Sequence, residues 1–355
     1  MSALRRDINA RTASRMNILI VKLSSLGDVV QTMPVVADIL AVHPDAQIDW
    51  VVEEAFAPLV ARVEGVRRVI PIALRRWKKT WFFHFTRNER RAFKQTLRSV
   101  TYDVVIDCQG LVKSALVARM AKIGTRAGLI PYGLRGSFAN KSDACGYEWP
   151  VKFLLPNNQA MPKRIHAVAR TRLLAAKLLS YEYRADIWQG LPRVAFKGLP
   201  VHDAASKALF FSHGTTRLDN EWAKTKWENL GALLVKHGAY RLLLPHSNSR
   251  ELAVCDGVKR YLPSHTEILP RMGLPELLDV MSTCTGVIGV DSGLSHLAVA
   301  LGLPHVQIFS QDRAWRAGPL PAHAGGAVHQ VAIGGARAPS VDEVWRAWQQ
   351  VKPGP

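Results

Sequence analysis

Residues 16–30 read Met16-Asn17-Ile18-Leu19-Ile20-Val21-Lys22-Leu23-Ser24-Ser25-Leu26-Gly27-Asp28-Val29-Val30. A short continuous apolar run ends in a polar, glycine-bearing loop and passes into an apolar segment of helical period. A strand buried on both faces reads this way, because helices cover both sides of a parallel sheet and no alternation survives. The unit recurs. Candidate strands Asn17–Leu23, Ile48–Val52, Arg68–Ile72 and Asp103–Asp107 are followed by helical segments Val29–Val42, Glu89–Val100 and Leu111–Ala121. Tyr181–Pro200, rich in Pro, Gly and isolated charges, interrupts the rhythm. It then restarts with strand Ala208–Ser212, helix Lys226–His237, strand Tyr240–Pro245 and helix Glu251–Leu262. Helix Pro275–Ser282, strand Gly286–Val290, helix Leu294–Leu301 and strand His305–Phe309 complete it. The pattern predicts an α/β protein of two Rossmann-like domains with parallel sheets.

Composition sets the bounds. A chain of 355 residues with 48% hydrophobic and 21% charged residues buries a core and, at about 100–200 residues per domain, divides into two. No window approaches the roughly 18 uninterrupted apolar residues of a membrane-spanning helix. Cys108, Cys145, Cys255 and Cys284 show no CxxC spacing, which disfavours a disulfide framework or a zinc ribbon and fits a reducing, cytoplasmic compartment. Residues 1–15 read as a disordered leader, the product of an upstream start codon, without the apolar core of a secretory signal. The expected organisation is an N-terminal domain over 16–185, a linker over 186–200, a C-terminal domain over 201–335, and a C-terminal helix and tail over 336–355.

The net charge of +19 is unevenly placed. Residues 1–172 carry 28 basic and 13 acidic side chains, against 19 and 15 in residues 173–355. Residues 62–98 alone hold 12 basic and 2 acidic groups, including Arg75-Arg76-Trp77-Lys78-Lys79. Such a half calls for a polyanionic partner: nucleic acid, an anionic membrane surface or a phosphorylated substrate. A basic nucleic-acid-binding protein is the reading from another class. Against it, the sequence has neither an RRM consensus nor C₂H₂ spacing.

In open parallel sheets, ligands gather beyond the carboxyl ends of the strands, so chemistry is sought in those loops. Three stand out. Lys22–Asp28 ends in an acid where the next helix begins, readable as an N-cap or as a general base. His213–Asn220 places Gly214, Thr215 and Thr216 where hydroxyls and backbone N–H groups meet phosphate oxygens. Asp291-Ser292-Gly293-Leu294-Ser295-His296 runs from a strand directly into a helix N-terminus, a setting suited to a diphosphate. GxGxxG, GxxxxGK[ST] and HExxH are all missing, so neither a dinucleotide fingerprint, a P-loop nor a metal set is expected.

Taken in order, these residues resemble the lipopolysaccharide heptosyltransferase I enzymes, a branch of glycosyltransferase family nine. The likeness is carried by Ser24-Ser25-Leu26-Gly27-Asp28-Val29, Trp50-Val51-Val52-Glu53-Glu54 and Arg75-Arg76-Trp77-Lys78-Lys79. Asp107-Cys108-Gln109-Gly110-Leu111-Val112-Lys113-Ser114, His166-Ala167-Val168-Ala169-Arg170 and Asp291-Ser292-Gly293-Leu294-Ser295-His296-Leu297 extend it to about Phe309. The resemblance implies a GT-B fold, with two Rossmann-like domains facing a central cleft. It implies inverting transfer of L-glycero-D-manno-heptose from ADP-heptose to the inner Kdo of Kdo2-lipid A. The partners it implies are ADP-heptose, Kdo2-lipid A and the anionic cytoplasmic face of the inner membrane, with no nucleic acid. No cofactor and no obligatory metal are expected, since helix dipoles and hydroxyls supply the charge stabilisation.

Residue by residue, the resemblance makes Asp28 the catalytic base. Ser25, Arg75, Arg76, Lys78 and Lys79 would meet the acceptor, and Thr215, Thr216, Glu251, Asp291, Ser292, Gly293 and His296 the donor. The sequence also departs from the family. Where the pattern reads Asp-Lys-x-Trp-Pro, this chain has Asp219-Asn220-Glu221-Trp222-Ala223, which removes the lysine that supports the departing diphosphate. That support is then expected from Thr215, Thr216 and the helix N-terminus, with Lys224 or Lys226 as possible additions. The alternative within the family is a transferase using another nucleotide sugar or acceptor. After Phe309, Ser310-Gln311-Asp312-Arg313 replaces the usual Gly-x-Thr-Asp-Pro turn, and residues 131–162 also depart from the pattern.

Overall fold

The computed structural model describes residues 15–80, 83–124, 133–143, 146–185, 194–201, 206–320 and 329–352. The leader expected over 1–15 lies, apart from Arg15, outside the described residues, as do residues 186–193 of the expected linker and Cys145.

In chain order the first half contains β1 (Asn17–Val21), α1 (Leu26–Thr32), α2 (Pro34–Val42), β2 (Gln47–Glu53), α3 (Ala57–Val60) and β3 (Val66–Ile72). α4 (Leu74–Lys79), α5 (His84–Arg98), β4 (Thr101–Tyr102), β5 (Val104–Asp107), α6 (Val112–Met120) and β6 (Lys122–Ile123) follow. β7 (Leu134–Phe138), α7 (Val151–Leu154), β8 (Asn157–Gln159) and α8 (Ala167–Leu179) complete it. The second half runs β9 (Ala208–Ser212), α9 (Lys224–Gly238), β10 (Arg241–Leu244), α10 (Ser249–Tyr261), β11 (Thr266–Ile268) and α11 (Leu274–Ser282). It continues with β12 (Gly286–Val290), α12 (Gly293–Leu301), β13 (His305–Phe309), α13 (Ala314–Ala317), β14 (Gln330–Gly334) and α14 (Val341–Val351).

Each half builds one six-stranded parallel sheet. The orders are β3-β2-β1-β5-β7-β8 and β11-β10-β9-β12-β13-β14. Both repeat the doubly wound order, with a switch point beside β1 in one sheet and beside β9 in the other. β1 is flanked on both sides, Ile20 pairing in register with Trp50 and with Ile106. Its residues Ile18–Val21 are buried, as their unbroken apolar run requires. The expected α/β architecture of two Rossmann-like domains with a cleft between them is therefore the one observed.

Several local readings change. The helix expected over Val29–Val42 is two helices, because Pro34 has no N–H to donate and occupies the first turn of a new one. α1 begins at Leu26 with Ser25 as its N-cap, so Asp28 stands in the first turn and is not itself the cap. β7, β8, β11 and β14 are strands that the sequence pattern does not announce, since none carries a long apolar run. α8 carries the His166–Arg170 stretch on as a helix to Leu179. The helix expected in the C-terminal tail is α14, which buries Val344, Ala347, Trp348 and Val351 in the outer core of the second domain.

Three hydrophobic clusters hold these layers. Two line the outer helix layers of the separate sheets, and the third is continuous across both domains, from Val29 of α1 and Met33 just after it to Leu278 and Leu297. Polar contacts join the halves as well. Arg62 forms a bidentate ion pair with Asp279 of α11 (2.7 and 3.2 Å) and also donates to the carbonyls of Lys197 and Gly198 in the linker. Buried Arg172 of α8 pairs with Asp38 of α2 at 2.6 Å, fixing the last helix of the first half onto the helices that follow β1. With both sheets anchored, their carboxyl edges face one another.

Candidate functional site

The loop after β1 is held from three sides. Gln109 Oε1 accepts from the N–H groups of Leu23 and Ser24, Trp50 Nε1 donates to the Lys22 carbonyl, and Glu53 N–H donates to the Leu23 carbonyl. Gln109 is fixed in turn, because the buried Asp107 carboxylate accepts from the N–H groups of Gln109 and Gly110 and from Ser137 Oγ. The loop leads into α1, where Asp28 Oδ2 accepts from the Ser25 N–H (3.0 Å) and the Ser25 hydroxyl (2.7 Å). One carboxylate oxygen is thereby committed to the helix start. The other lies 3.9 Å from Lys22 Nζ, a side chain only 2% exposed that also donates to the Cys108 carbonyl at 3.1 Å. Burial raises the Asp28 pKa, but Lys22, the two Ser25 hydrogen bonds and the charge of Arg316 outweigh it. The carboxyl is held below its usual value.

The facing wall comes from the second sheet. Ser292 caps α12 by accepting from the Ser295 N–H and lies 2.9 Å from Ser212 Oγ. Asp291, just before that cap, has its Oδ1 3.5 Å from His296 Nε2, and its Oδ2 accepts from Asn220 Nδ2 at 3.1 Å. Asn220, 3% exposed, also donates to the Asp291 carbonyl, which Thr215 Oγ1 shares. Burial raises the Asp291 pKa, while His296, Arg316 and Arg313 lower it further and leave it ionised. At the far end Glu251 accepts from the N–H and hydroxyl of Ser247, lying so close to Gly214 that a β-carbon there would be 2.7 Å from its carboxyl.

The two walls meet in one cavity of about 510 Å³. Ser25, Leu26, Gly27, Asp28 and Gln31 line it from the first domain; the threonine loop, Glu251 and the Asp291 loop line it from the second. One hydrogen-bond chain crosses the gap. Gln31 Nε2 lies 3.5 Å from His296 Nδ1, and His296 leads through Asp291 to Asn220. A single tautomer serves both contacts: with the proton on Nε2, Nδ1 accepts from Gln31 and Nε2 donates to Asp291. Positive charge at the rim comes from Arg217, Arg313 and Arg316. Asp219 sits between the first two, 2.9 Å from Arg217 and 3.3 Å from Arg313. Paired acids on opposite walls, hydroxyls and helix N–H groups between them, and arginines above form a site for an anionic ligand with a base held across from it.

Every expected donor residue (Thr215, Thr216, Glu251, Asp291, Ser292, Gly293 and His296) lines this cavity together with Ser25 and Asp28. The two lysines expected to support a diphosphate do not. Lys224 pairs with Glu228 of its own helix at 3.8 Å, and Lys226 donates to the Pro339 carbonyl at 2.8 Å. The first turn of α9 points both away from the cavity lining. Arg75, Arg76, Lys78 and Lys79 also lie outside it, on α4 directly after β3. Arg76 is committed to Glu54 (3.0 Å) and Glu89 (2.8 Å), which raises its pKa and leaves it chiefly a structural cation. Lys22, Gln31, Arg217, Arg313 and Arg316 also belong to the site, at positions that no sequence motif marks. The loop after β13, which brings Arg313 to the rim, obeys the strand-end rule as the other loops do.

Comparison with known proteins adds to this geometry. The sequence pattern of glycosyltransferase family 9 (heptosyltransferase) matches residues 90–332. Lipopolysaccharide heptosyltransferase 1 of Escherichia coli (strain K12) is 38% identical over 303 residues, covering 83% of this chain and 88% of the relative. Its Pseudomonas aeruginosa counterpart is 36% identical over 295 residues, with 83% and 78% covered. The solved structure of E. coli heptosyltransferase WaaC with ADP aligns at a TM-score of 0.75 and 32% identity, covering 95% of this chain and 100% of that one. WaaC with ADP-2-deoxy-2-fluoro heptose aligns at 0.72 and 31%, with 94% and 98% covered.

The Lys22–Asp28 pair is directly testable. Replacing Lys22 by Met leaves the Asp28 carboxyl desolvated without its cation, so its pKa should rise. Carboxyl carbon NMR titration of Asp28 in the wild type and in Lys22→Met should show this upward move, and superimposable titrations would contradict the coupling.

Proposed function

We propose, because the chain belongs to glycosyltransferase family 9, that it moves L-glycero-D-manno-heptose from ADP-heptose to the inner Kdo of Kdo2-lipid A, with inversion. It is a glycosyltransferase. The observation that carries the reading is the single cavity in which Asp28 of one domain faces the Thr215 and Asp291 loops of the other. An inverting transfer needs a base on the acceptor side and charge stabilisation on the leaving-group side, and the two walls supply one each.

In this mechanism Asp28 accepts the proton of the attacking Kdo hydroxyl as the new glycosidic bond forms. The bond from the anomeric carbon to the diphosphate breaks on the opposite face, and its electron pair leaves with ADP. A carboxyl held below its usual pKa is ionised at neutral pH and ready to receive that proton. Ser25 and Lys22 fix its orientation from below. Asp291, held by His296 and Asn220, is placed for the heptose hydroxyls, and Glu251 for the adenosine. Thr215, Thr216, the α12 N-terminus and the cations Arg313 and Arg316 are suited to the diphosphate. That positive charge comes from protein groups, which supports a metal-independent reaction. Among the described residues no helix is long and apolar enough to cross a membrane. We place the protein peripherally on the cytoplasmic face of the inner membrane, where its acceptor lies.

Asn220, where the family places lysine, favours one alternative: a family member with a different nucleotide sugar. Competition for the site by ADP-, GDP- and UDP-sugars decides between them, with ADP-heptose expected to bind tightest.

Asp28→Asn should lower kcat by about 10²–10⁴-fold, the usual worth of a positioned base, while calorimetry shows ADP affinity unchanged. Wild-type turnover in this variant would remove the base assignment. Arg316→Gln should weaken ADP binding about 10-fold or more, as loss of a charge-assisted hydrogen bond does. Lys224→Gln should leave that affinity in place; the reverse pattern would return the diphosphate to α9. Turnover should persist in EDTA, and loss restored by Mg²⁺ would refute the metal-independent reading.

A further inference from the structure

All strands of the first sheet run parallel, so the segments that follow them emerge at one edge. β1 delivers the Asp28 loop there. β3 delivers α4, with Arg75, Lys78 and Lys79 exposed, and then Phe83 and Phe85 at the start of α5. These two rings stack on one another with centroids 5.5 Å apart, yet are 58% and 50% exposed. β5 delivers the N-terminus of α6, and the segment before α7 is tied to it. Glu148 N–H donates to the Gly110 carbonyl, and the Glu148 carboxylate accepts from the Val112 N–H at 2.6 Å. That tie brings a second aromatic pair to the same edge. Trp149 and Phe153, 63% and 67% exposed, meet edge to face at 5.3 Å, with Lys152 Nζ 5.4 and 4.8 Å from their ring centres.

These four are the only large exposed Phe or Trp side chains among the described residues, and all stand on this rim. Three acids there are already engaged, Glu54 and Glu89 by Arg76 and Glu148 by the α6 backbone. Aromatic side chains left in water, interleaved with uncompensated Lys and Arg, match the headgroup layer of an anionic bilayer. Rings settle at the polar–apolar boundary and cations meet lipid phosphates. Another protein surface would cover such rings with apolar groups and would not call for the surrounding cations.

We propose that the carboxyl edge of the first sheet is a bilayer-docking rim, in which the Phe83–Phe85 and Trp149–Phe153 pairs enter the headgroup layer of an anionic membrane. Lys78, Lys79, Lys113 and Lys152 bind the lipid phosphates around them. The orientation rests on the lipid acceptor proposed above, since docking by this edge presents the Asp28 loop to a headgroup without drawing the lipid from the bilayer. Two modest aromatic anchors give reversible attachment, which suits an enzyme that must reach successive acceptors.

The test is sedimentation of the full-length protein with phosphatidylcholine vesicles with and without phosphatidylglycerol. Binding should require the anionic lipid and weaken with salt. Trp149→Ser/Phe153→Ser and Phe83→Ser/Phe85→Ser should each lower the partition coefficient at least tenfold. Lys113→Gln/Lys152→Gln should flatten the salt dependence. All three variants should keep wild-type affinity for ADP, showing that fold and donor site are intact. Wild-type partitioning in both aromatic variants, or indifference to phosphatidylglycerol, would overturn the proposal. So would a dimer in sedimentation equilibrium that the Trp149→Ser/Phe153→Ser substitutions dissolve. Transfer to a deacylated, water-soluble acceptor separates this from the functional reading: the rim variants should retain it. Its failure in the wild type, with vesicle binding intact, would count against the transferase assignment alone.

Discussion

Leu26 of the first domain packs onto Gly293 of the second, and His296 of the second packs onto Gly27 of the first. A β-carbon on either glycine would lie 2.6 Å from the side chain it receives. At Gly293 the crowding includes Leu26 Cβ at 2.9 Å, which no rotamer change relieves. These reciprocal contacts let the N-termini of two helices, α1 and α12, approach across the cleft. Asp28 and Asp291 are one residue from these glycines on α1 and two on the α12 side, so the glycines bring the two acids into a shared cavity. The chain Gln31–His296–Asp291–Asn220 runs along the same contact. A substitution that props the helices apart therefore disturbs Asp28, Asp291 and the Thr215 loop together, which is why so small a residue controls so much of the site.

The uneven charge follows from the same division of labour. The second half is close to neutral, and the cations it brings to the cavity rim are Arg217, Arg313 and Arg316. Part of the first half's excess, Arg75, Lys78, Lys79, Lys113 and Lys152, stands exposed at the carboxyl edge of its sheet, outside the cavity. Within that excess the structure separates roles that the sequence merges. Arg76 holds α4 to the Glu54 turn and α5, Arg67 and Arg68 are paired with buried Asp49, and Lys22 is buried under Asp28. What faces outward is smaller than the formal charge suggests and is interleaved with aromatic rings.

Much of this was legible in the sequence because the physics is local. Continuous apolar strands announce a parallel sheet, and a loop of Gly, Ser, Thr and Asp at a strand end announces a ligand site. The Asp28, Thr215 and Asp291 loops were found on those grounds. What escaped notice depends on distant partners. A lysine on a buried strand end reads as surface, since a buried ammonium is rare, and only the fold shows Asp28 above it. Lys224 and Lys226 sit near the threonine loop in sequence, but the first turn of α9 directs them to Glu228 and Pro339. Arg313 and Arg316 lie on and beside a four-residue helix too short for any periodicity. β7 and β8 are polar and short, and form because β7 finds an edge on β5 and β8 an edge on β7.

Two walls of one cavity are proposed to join a nucleotide-activated heptose to a lipid-borne hydroxyl. The most direct measurement is the mass of the lipid product after incubation of the full-length protein with ADP-heptose and Kdo2-lipid A. The account predicts a gain of one heptosyl unit on the acceptor, with one ADP released for each product formed. Release of ADP without any change in acceptor mass, or transfer supported by another nucleotide sugar and not by ADP-heptose, would contradict it.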